Sequence, residues 1–125
     1  MTTKNLLVVD DSATTRMLIT LTLKKGDDFR IIEASDGKEA LAHLDSQHVD
    51  LVLTDINMPI MDGLKLISLM KSNPTYKDIP VVVITTEGAR EDREKGLALG
   101  AKSYITKPIQ TTSLLKVIKE ILSGS

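Results

Sequence analysis

The sequence predicts an α/β protein with a parallel sheet, and two observations support this fold class. Short apolar runs rich in β-branched residues alternate five times with helical patterns of roughly 10 to 14 residues. Polar residues hardly interrupt the middle of each run, which is typical of strands buried on both faces. We therefore predict five strands, over Leu6–Val9, Arg30–Ala34, Leu51–Thr54, Val81–Thr85 and Ser103–Thr106.

The first predicted helix follows the first strand directly. Ser12 is placed to cap its N-terminus, and Gly26 follows its end. Met17, Leu18 and Leu21 give the helix an apolar face. We expect that face to pack on the sheet.

The other four helices carry similar signals. Asp36 caps the second helix, and Glu39, three residues later, completes a capping-box pattern. Asp62 and Gly63 open the third helix, which we expect to end near Asn73–Pro74. The fourth helix is predicted over the polar segment Arg90–Leu99, which closes at Gly100. The fifth helix is predicted from apolar residues at helical spacing, which are Leu114, Val117, Ile118 and Ile121.

Composition excludes several classes of function. The 125 residues, a length suited to one domain over residues 1–125, include 16 Lys and Arg against 17 Asp and Glu, so no basic surface for nucleic acid is expected. The chain has no Cys, which excludes disulfides and thiolate metal sites. No apolar run approaches the ~20 residues that cross a bilayer. We expect a cytoplasmic protein that is not inserted in a membrane.

Chemically capable residues recur at the C-terminal ends of the apolar runs. Asp10 and Asp11 follow the first strand, Asp55 follows the third, Thr85 and Thr86 end the fourth, and Lys107 follows the fifth. In a parallel sheet these ends share one edge, which is where ligands bind in open α/β folds. We therefore expect these side chains to converge.

Three carboxylates at one edge repel one another unless a cation lies among them. Because the donors are all oxygens, they favour a hard ion such as Mg²⁺, which proteins usually hold together with phosphate and water. Lys107 and a threonine hydroxyl suit phosphoryl oxygens, and Asp55 is the best-placed nucleophile for a covalent aspartyl phosphate. Taken singly, Asp10 and Asp11 are ordinary loop acids or helix caps, and Thr85 is ordinary strand filling.

The order and spacing of these residues resemble a known family over essentially the whole chain. The matching segments are Val8-Val9-Asp10-Asp11-Ser12, Asp55-Ile56-Asn57-Met58-Pro59, Met61-Asp62-Gly63, Thr85-Thr86, Gly100-Ala101 and Lys107-Pro108. The chain resembles the receiver domain of two-component response regulators, particularly the single-domain chemotaxis type. This resemblance implies a flavodoxin-like, doubly wound (βα)5 sandwich with strand order 2-1-3-4-5.

The resemblance also implies a chemistry. Asp55 is then the phosphoacceptor, which takes a phosphoryl group from a histidine kinase, or slowly from acetyl phosphate, in a Mg²⁺-dependent reaction. Asp11 and Asp55 bind the metal directly, Asp10 acts largely through water, and Asn57 contributes its main-chain carbonyl. Lys107 contacts the phosphoryl group.

A conformational switch is implied as well. Thr85 moves to bond the phosphoryl oxygen, and Tyr104 swings from an exposed rotamer into the vacated space. This changes an output face made of the fourth helix, the fifth strand and the fifth helix. The family's Lys107–Pro108 peptide is cis, and we expect the same here.

Several residues depart from the family's usual pattern. Thr86 is bulkier than the Ala or Gly that often follows the switch threonine, and it could narrow access to the phosphoryl group. Ile109 replaces a common Phe. Asn57 and Glu87 occupy positions that tune hydrolysis, so the lifetime of the phosphorylated state is left open.

The implied partners are a histidine kinase, an output protein such as a flagellar motor switch or chemosensory component, and a phosphatase. We expect a monomer that acts as a signalling protein and not as an enzyme. One alternative is a binding module that works without phosphorylation. Others are a Mg²⁺-dependent phosphohydrolase, which would need a second Asp where Asn57 stands, and a flavin carrier, which would need clustered aromatic residues.

Overall fold

The computed structural model describes residues 3–24, 29–86 and 88–123, and strands alternate with helices throughout this part of the chain. The strands are β1 (Lys4–Val9), β2 (Phe29–Ala34), β3 (Leu51–Asp55), β4 (Val81–Thr86) and β5 (Ser103–Lys107). The helices are α1 (Ala13–Leu23), α2 (Gly37–Ser46), α3 (Gly63–Lys71), α4 (Arg90–Leu99) and α5 (Thr111–Leu122). In this described part, no helix has the length and apolar character needed to cross a membrane.

The five strands form one parallel sheet in the order β2-β1-β3-β4-β5, which confirms the predicted fold class and strand order. All five predicted strands are present, each extended by one or two residues. Three of the additions are the polar residues Asp55, Thr86 and Lys107, which continue the ladder beyond the apolar run. The ladder therefore fixes the backbone at the edge where the site was expected.

Side chains alternate between the two faces of the sheet and build two apolar layers. Leu7, Val9 and Val83 pack with residues of α2 and α3 on one face, and Leu6, Val8 and Ile84 pack with residues of α1 and α5 on the other. The central strand β3 is buried along its whole length. Burial on both faces explains why β1, β3 and β4 are almost continuously apolar, whereas the edge strands β2 and β5 include exposed residues.

The predicted apolar face of α1 is wrong. Met17, Leu18 and Leu21 are 59%, 47% and 56% exposed, whereas Ile19 and Leu23 are fully buried against the sheet. The helix carries two apolar stripes, and its direction on the sheet selects the second one. Gly26, the expected stop signal, lies outside the described residues.

The predicted caps of the next two helices are confirmed. Asp36 Oδ1 accepts the Glu39 N–H at 2.9 Å, and Glu39 Oε1 accepts the Ser35 N–H, so the reciprocal bond closes one residue before the cap. Asp62 Oδ1 accepts the Lys65 N–H at 2.8 Å at the start of α3. That helix ends at Lys71, slightly earlier than expected.

Ile60, in the loop between β3 and α3, has an unusual backbone conformation. Its φ is 67°, in the left-handed region that a β-branched residue rarely adopts. The side chain is 79% exposed, so it gains little from packing. The loop next to the site therefore holds backbone strain of roughly 1–3 kcal/mol.

Replacing Ile60 with Asn relieves this strain, because Asn tolerates the left-handed conformation and loses no buried surface here. We expect Ile60→Asn to raise the free energy of unfolding by about 1 kcal/mol in urea titrations. Ile60→Val keeps a β-branched residue and is the matched control, with no gain expected. Equal stability of the Asn and Val variants would contradict the strain assignment.

Candidate functional site

Four predicted site residues meet at the C-terminal edge of the sheet. Asp10, Asp11 and Asp55 each place a carboxylate oxygen within 4.8 Å of the others. Lys107 Nζ lies 3.1 Å from Asp55 Oδ2 and 3.3 Å from Asp10 Oδ2. Because β1 and β5 lie on opposite sides of the central strands, only the parallel topology brings these residues together.

Asp10 is fully buried and its main chain is held by the neighbouring strand. Its N–H donates to the Ala34 carbonyl at 3.0 Å, and its Oδ1 accepts the Ser12 N–H at 2.8 Å. Burial raises the pKa of Asp10; the hydrogen bond from Ser12 opposes this, and nearby Asp55 raises the pKa further. The charged form of Asp10 is therefore costly without a cation.

Asp55 ends β3 and is nearly buried. Its Oδ1 accepts the Ile56 N–H at 2.7 Å, while Oδ2 faces Lys107. Burial alone would lower the pKa of Lys107, but its hydrogen bond with Asp55 and the charges of Asp55 and Asp10 raise it overall. Lys107 is thus held as an ammonium ion beside the carboxylates.

Gly63, the first residue of α3, packs closely against the main chain of Asp55. Its N–H donates to the Ile56 carbonyl at 2.8 Å. A Cβ at this position would overlap the carbonyl oxygen of Asp55 and lie 2.9 Å from Ile56 Cα. The close approach requires glycine, and it fixes the turn that carries Asp55.

Other predicted site residues surround this cluster. Thr85 follows Ile84, the partner of Asp55 in the β3–β4 ladder, and its hydroxyl is buried without a hydrogen-bond partner in the described part of the chain. Asn57 and Thr86 are exposed. The Lys107–Pro108 peptide is cis, as expected.

Tyr104 is not part of the cluster. It is 39% exposed, and its ring faces the guanidinium of Arg93 on α4, with Arg93 Cζ 4.7 Å from the ring centroid. A groove of about 540 Å³ beside it is also lined by Lys107, Pro108 and Val117. The Tyr104 ring is therefore partly exposed, between Arg93 and this groove.

The donor set fits a divalent cation of the Mg²⁺ type. Three carboxylates against one ammonium leave the cluster with two uncompensated negative charges, and all donors are hard oxygens. Asp10 Oδ2 is buried and, among the described residues, accepts no hydrogen bond. A cation would satisfy this oxygen and relieve the repulsion between Asp10 and Asp55.

Two arginines that contact residues predicted for the site were missed by sequence reasoning. Arg16 on α1 donates to the main-chain carbonyl of Asp10, and Arg93 on α4 covers Tyr104. Arg16 stands near a helix N-terminus, where a cation is unfavourable without a specific partner, so its position was a signal. Arg93 was hidden in a charged segment typical of a solvated helix face. Glu87 lies outside the described residues.

Comparison with known proteins identifies the family. The sequence model of the response regulator receiver domain matches residues 6–119. The chain belongs to the receiver-domain family of response regulators.

Similar receivers occur in proteins of different length. This receiver is 40% identical over 121 residues to chemotaxis protein CheY1 of Helicobacter pylori, covering 96% of this chain and 97% of that protein. It is 38% identical to the phosphate regulon transcriptional regulatory protein PhoB of Klebsiella pneumoniae, covering 95% of this chain but only 52% of that protein. The solved structure of chemotaxis response regulator CheY4 of Vibrio cholerae has a TM-score of 0.88 at 32% identity, covering 96% of this chain and 99% of that one.

The raised pKa of Asp10 gives a prediction for stability. Folded Asp10 takes up its proton at a higher pH than unfolded Asp10, so the folded state loses stability as pH rises through that interval. Asp10→Asn removes this titrating group. At pH 7 without divalent cations, the free energy of unfolding of the variant should be about 1 kcal/mol higher than that of the parent. The gain should disappear at acid pH, where Asp10 is protonated.

Urea unfolding of parent and Asp10→Asn across this pH range measures the difference. Asp78→Asn, at an exposed acid in the loop before β4, is the matched control and should stay near the parent at every pH. A gain for Asp10→Asn that did not change with pH would contradict the assignment to the buried charge.

Proposed function

We propose that this receiver accepts a phosphoryl group on Asp55 from a histidine kinase and then acts on a partner protein. The observation that carries the proposal is the meeting of Asp10, Asp11 and Asp55 within 4.8 Å, with Lys107 bonded to Asp55. Asp55 is nearly buried and makes the shorter of the two contacts with Lys107, 3.1 Å against 3.3 Å for Asp10.

In the proposed step an Asp55 carboxylate oxygen attacks the donor phosphorus, and a phosphorus–oxygen bond forms. The bond from phosphorus to the histidine nitrogen, or to the acetate oxygen of acetyl phosphate, breaks and its electron pair leaves with the donor. The product is an acyl phosphate on Asp55. In the later hydrolysis water attacks the phosphorus, the bond to the Asp55 oxygen breaks, and inorganic phosphate leaves with the Asp55 carboxylate restored.

Asp10, Asp11 and Asp55, with the main-chain carbonyl of Asn57, are the groups that would hold Mg²⁺. When bound, the cation supplies charge neutralisation that lets an anionic phosphoryl group approach three carboxylates. Asp10 is held by Ala34 and Ser12, so the direction of its second carboxylate oxygen, Oδ2, is set before any ligand arrives.

Lys107 and Thr85 would receive the transferred group. The ammonium of Lys107 is held charged beside Asp55 and would pair with phosphoryl oxygens once Asp55 is phosphorylated. The Thr85 hydroxyl is buried and without a partner among the described residues, so it is free to donate to a phosphoryl oxygen. Thr86 is exposed beside it and would limit access of water.

Tyr104 would couple this site to the output face formed by α4, β5 and α5. A phosphoryl group adds a charge of about -1.5 to -2, which draws Thr85 towards Asp55 and opens space for the ring. Arg93 holds that ring outward by a cation–π contact. The equilibrium between the two ring positions therefore depends on Arg93 as well as on phosphorylation.

We place this receiver in a chemotaxis-type pathway in the cytoplasm, acting as a monomer on a motor or chemosensory component. Full-length relatives named chemotaxis proteins support this output. A phosphatase that shortens the signal fits the same scheme.

Intact-mass measurement tests the phosphoacceptor. With acetyl phosphate or phosphoramidate and Mg²⁺, the parent should gain the mass of one phosphoryl group, and the gain should fall at least tenfold when Mg²⁺ is chelated. Asp55→Asn should gain none, because the amide is not a nucleophile. Asp78→Asn, at an exposed acid, is the matched control and should gain the same mass as the parent.

An equal gain in parent and Asp55→Asn would place the phosphoryl group elsewhere. No gain with several donors, together with unchanged NMR spectra on adding beryllofluoride and Mg²⁺, would leave a binding module that works without phosphorylation.

Fluorotyrosine NMR tests the role of Arg93. The chain has two tyrosines, Tyr76 and Tyr104, and a Tyr104→Phe variant assigns their resonances. In Arg93→Leu the Tyr104 signal should move part of the way towards its beryllofluoride-bound position without phosphorylation, because about 0.5–1 kcal/mol of cation–π attraction is lost. Arg90→Leu, on the exposed side of α4, is the control. Identical spectra for Arg93→Leu and parent would remove Arg93 from the switch.

A further inference from the structure

Arg16 is a cation in an unfavourable place. It is the fourth residue of α1, close to the positive end of the helix dipole. It also lies beside the acidic cluster that we propose as the site for a divalent cation. The helix dipole by itself disfavours a guanidinium here. Its specific contacts must therefore account for its position.

Two contacts hold the guanidinium of Arg16. Nη1 donates to the main-chain carbonyl oxygen of Asp10 at 2.5 Å, and Nε donates to Glu33 Oε1 on β2 at 2.9 Å. The planar fork of the guanidinium makes both bonds at once, which an ammonium could not do with the same geometry. Arg16 thus ties α1, β2 and the turn after β1 together.

The contact with Asp10 also fixes the next residue. The peptide between Asp10 and Asp11 is planar and trans, so the Asp10 carbonyl and the Asp11 N–H point in opposite directions. Asp11 is exposed, and no hydrogen bond within the described residues holds its carboxylate. Its carboxylate is therefore restrained only through the main chain, where Arg16 holds the preceding peptide and the following Ser12 N–H is bonded to Asp10 Oδ1.

We propose that Arg16 is a positioning residue, which holds the Asp10–Asp11 peptide so that the Asp11 carboxylate faces those of Asp10 and Asp55. This inference rests on the proposed function, because it concerns the same acidic cluster. Arg16 touches neither the phosphoryl group nor the cation. It acts through the main chain of the two acids.

Arg16 could act on Mg²⁺ binding either as a nearby positive charge or as a positioning residue. Removing Arg16 changes the Mg²⁺ affinity in opposite directions in these two cases. If Arg16 acts only as a nearby charge, its removal lowers the repulsion of Mg²⁺ and binding becomes tighter. If Arg16 positions Asp11, its removal leaves Asp11 free and binding becomes weaker by about tenfold, as for other residues that orient metal ligands.

Calorimetric titration of MgCl₂ into Arg16→Met and Arg16→Gln measures this difference. Both variants should bind Mg²⁺ about tenfold more weakly than the parent, and the second keeps the test open if the first does not fold. Arg16→Lys should recover part of the affinity, because one donor to Asp10 remains. Arg30→Met removes the same charge at the far end of β2 and should match the parent.

Residual dipolar couplings supply a second readout, because they report the orientation of each N–H bond. Removing Arg16 should change the coupling of the Asp11 N–H in the protein without Mg²⁺, while the Asp10 N–H keeps its coupling because it is bonded to Ala34. Global loosening of the fold would change both. Only a change confined to Asp11 supports positioning.

The proposal would be overturned if Arg16→Met and Arg16→Gln bound Mg²⁺ as tightly as the parent or more tightly. That result leaves the proposed function standing if the parent binds Mg²⁺ and gains a phosphoryl group. A parent that does neither contradicts the proposed function itself.

Discussion

The contact between Lys107 Nζ and the carboxylates of Asp55 and Asp10, at 3.1 and 3.3 Å, is the interaction on which the site depends. Two acids buried side by side repel each other, and burial further penalises their charges. The ammonium offsets part of this cost and is itself kept charged by them. The contact requires β5 to end at the same edge of the sheet as β3, two positions away in the strand order. The electrostatics of the site therefore depends on the order of the strands.

The sequence contained most of this arrangement because each part has a local signal. Continuous apolar runs predict the strands, and Asp10, Asp55 and Lys107 follow them at once, so the parallel topology alone makes them converge. The caps Asp36 and Asp62 are predictable for the same reason, since a cap interacts with a residue three positions away.

What the sequence did not reveal depends on tertiary geometry. The stripe of Met17, Leu18 and Leu21 and the stripe of Ile19 and Leu23 are both apolar, and the direction in which α1 crosses the sheet decides which is buried. The bond from Tyr76 to Asp45 joins residues 31 positions apart. Similarly, the place of Arg16 near a helix N-terminus was a signal, but its partner is a main-chain carbonyl, which no residue type identifies.

The helices that flank the acids, α1 and α3, are more firmly anchored than α4. Ser12 and Asp62 cap α1 and α3 with side-chain bonds, so the turns that carry the acids are fixed. In α4 Gly96 is the only described residue that is buried, resting on Val83, and the helix start at Ala89 has no side-chain cap. A helix with so little buried apolar surface opens or shifts at low cost. A charge added at the firmly held acids would therefore be relieved by movement on the α4 side, where Tyr104 and Arg93 meet.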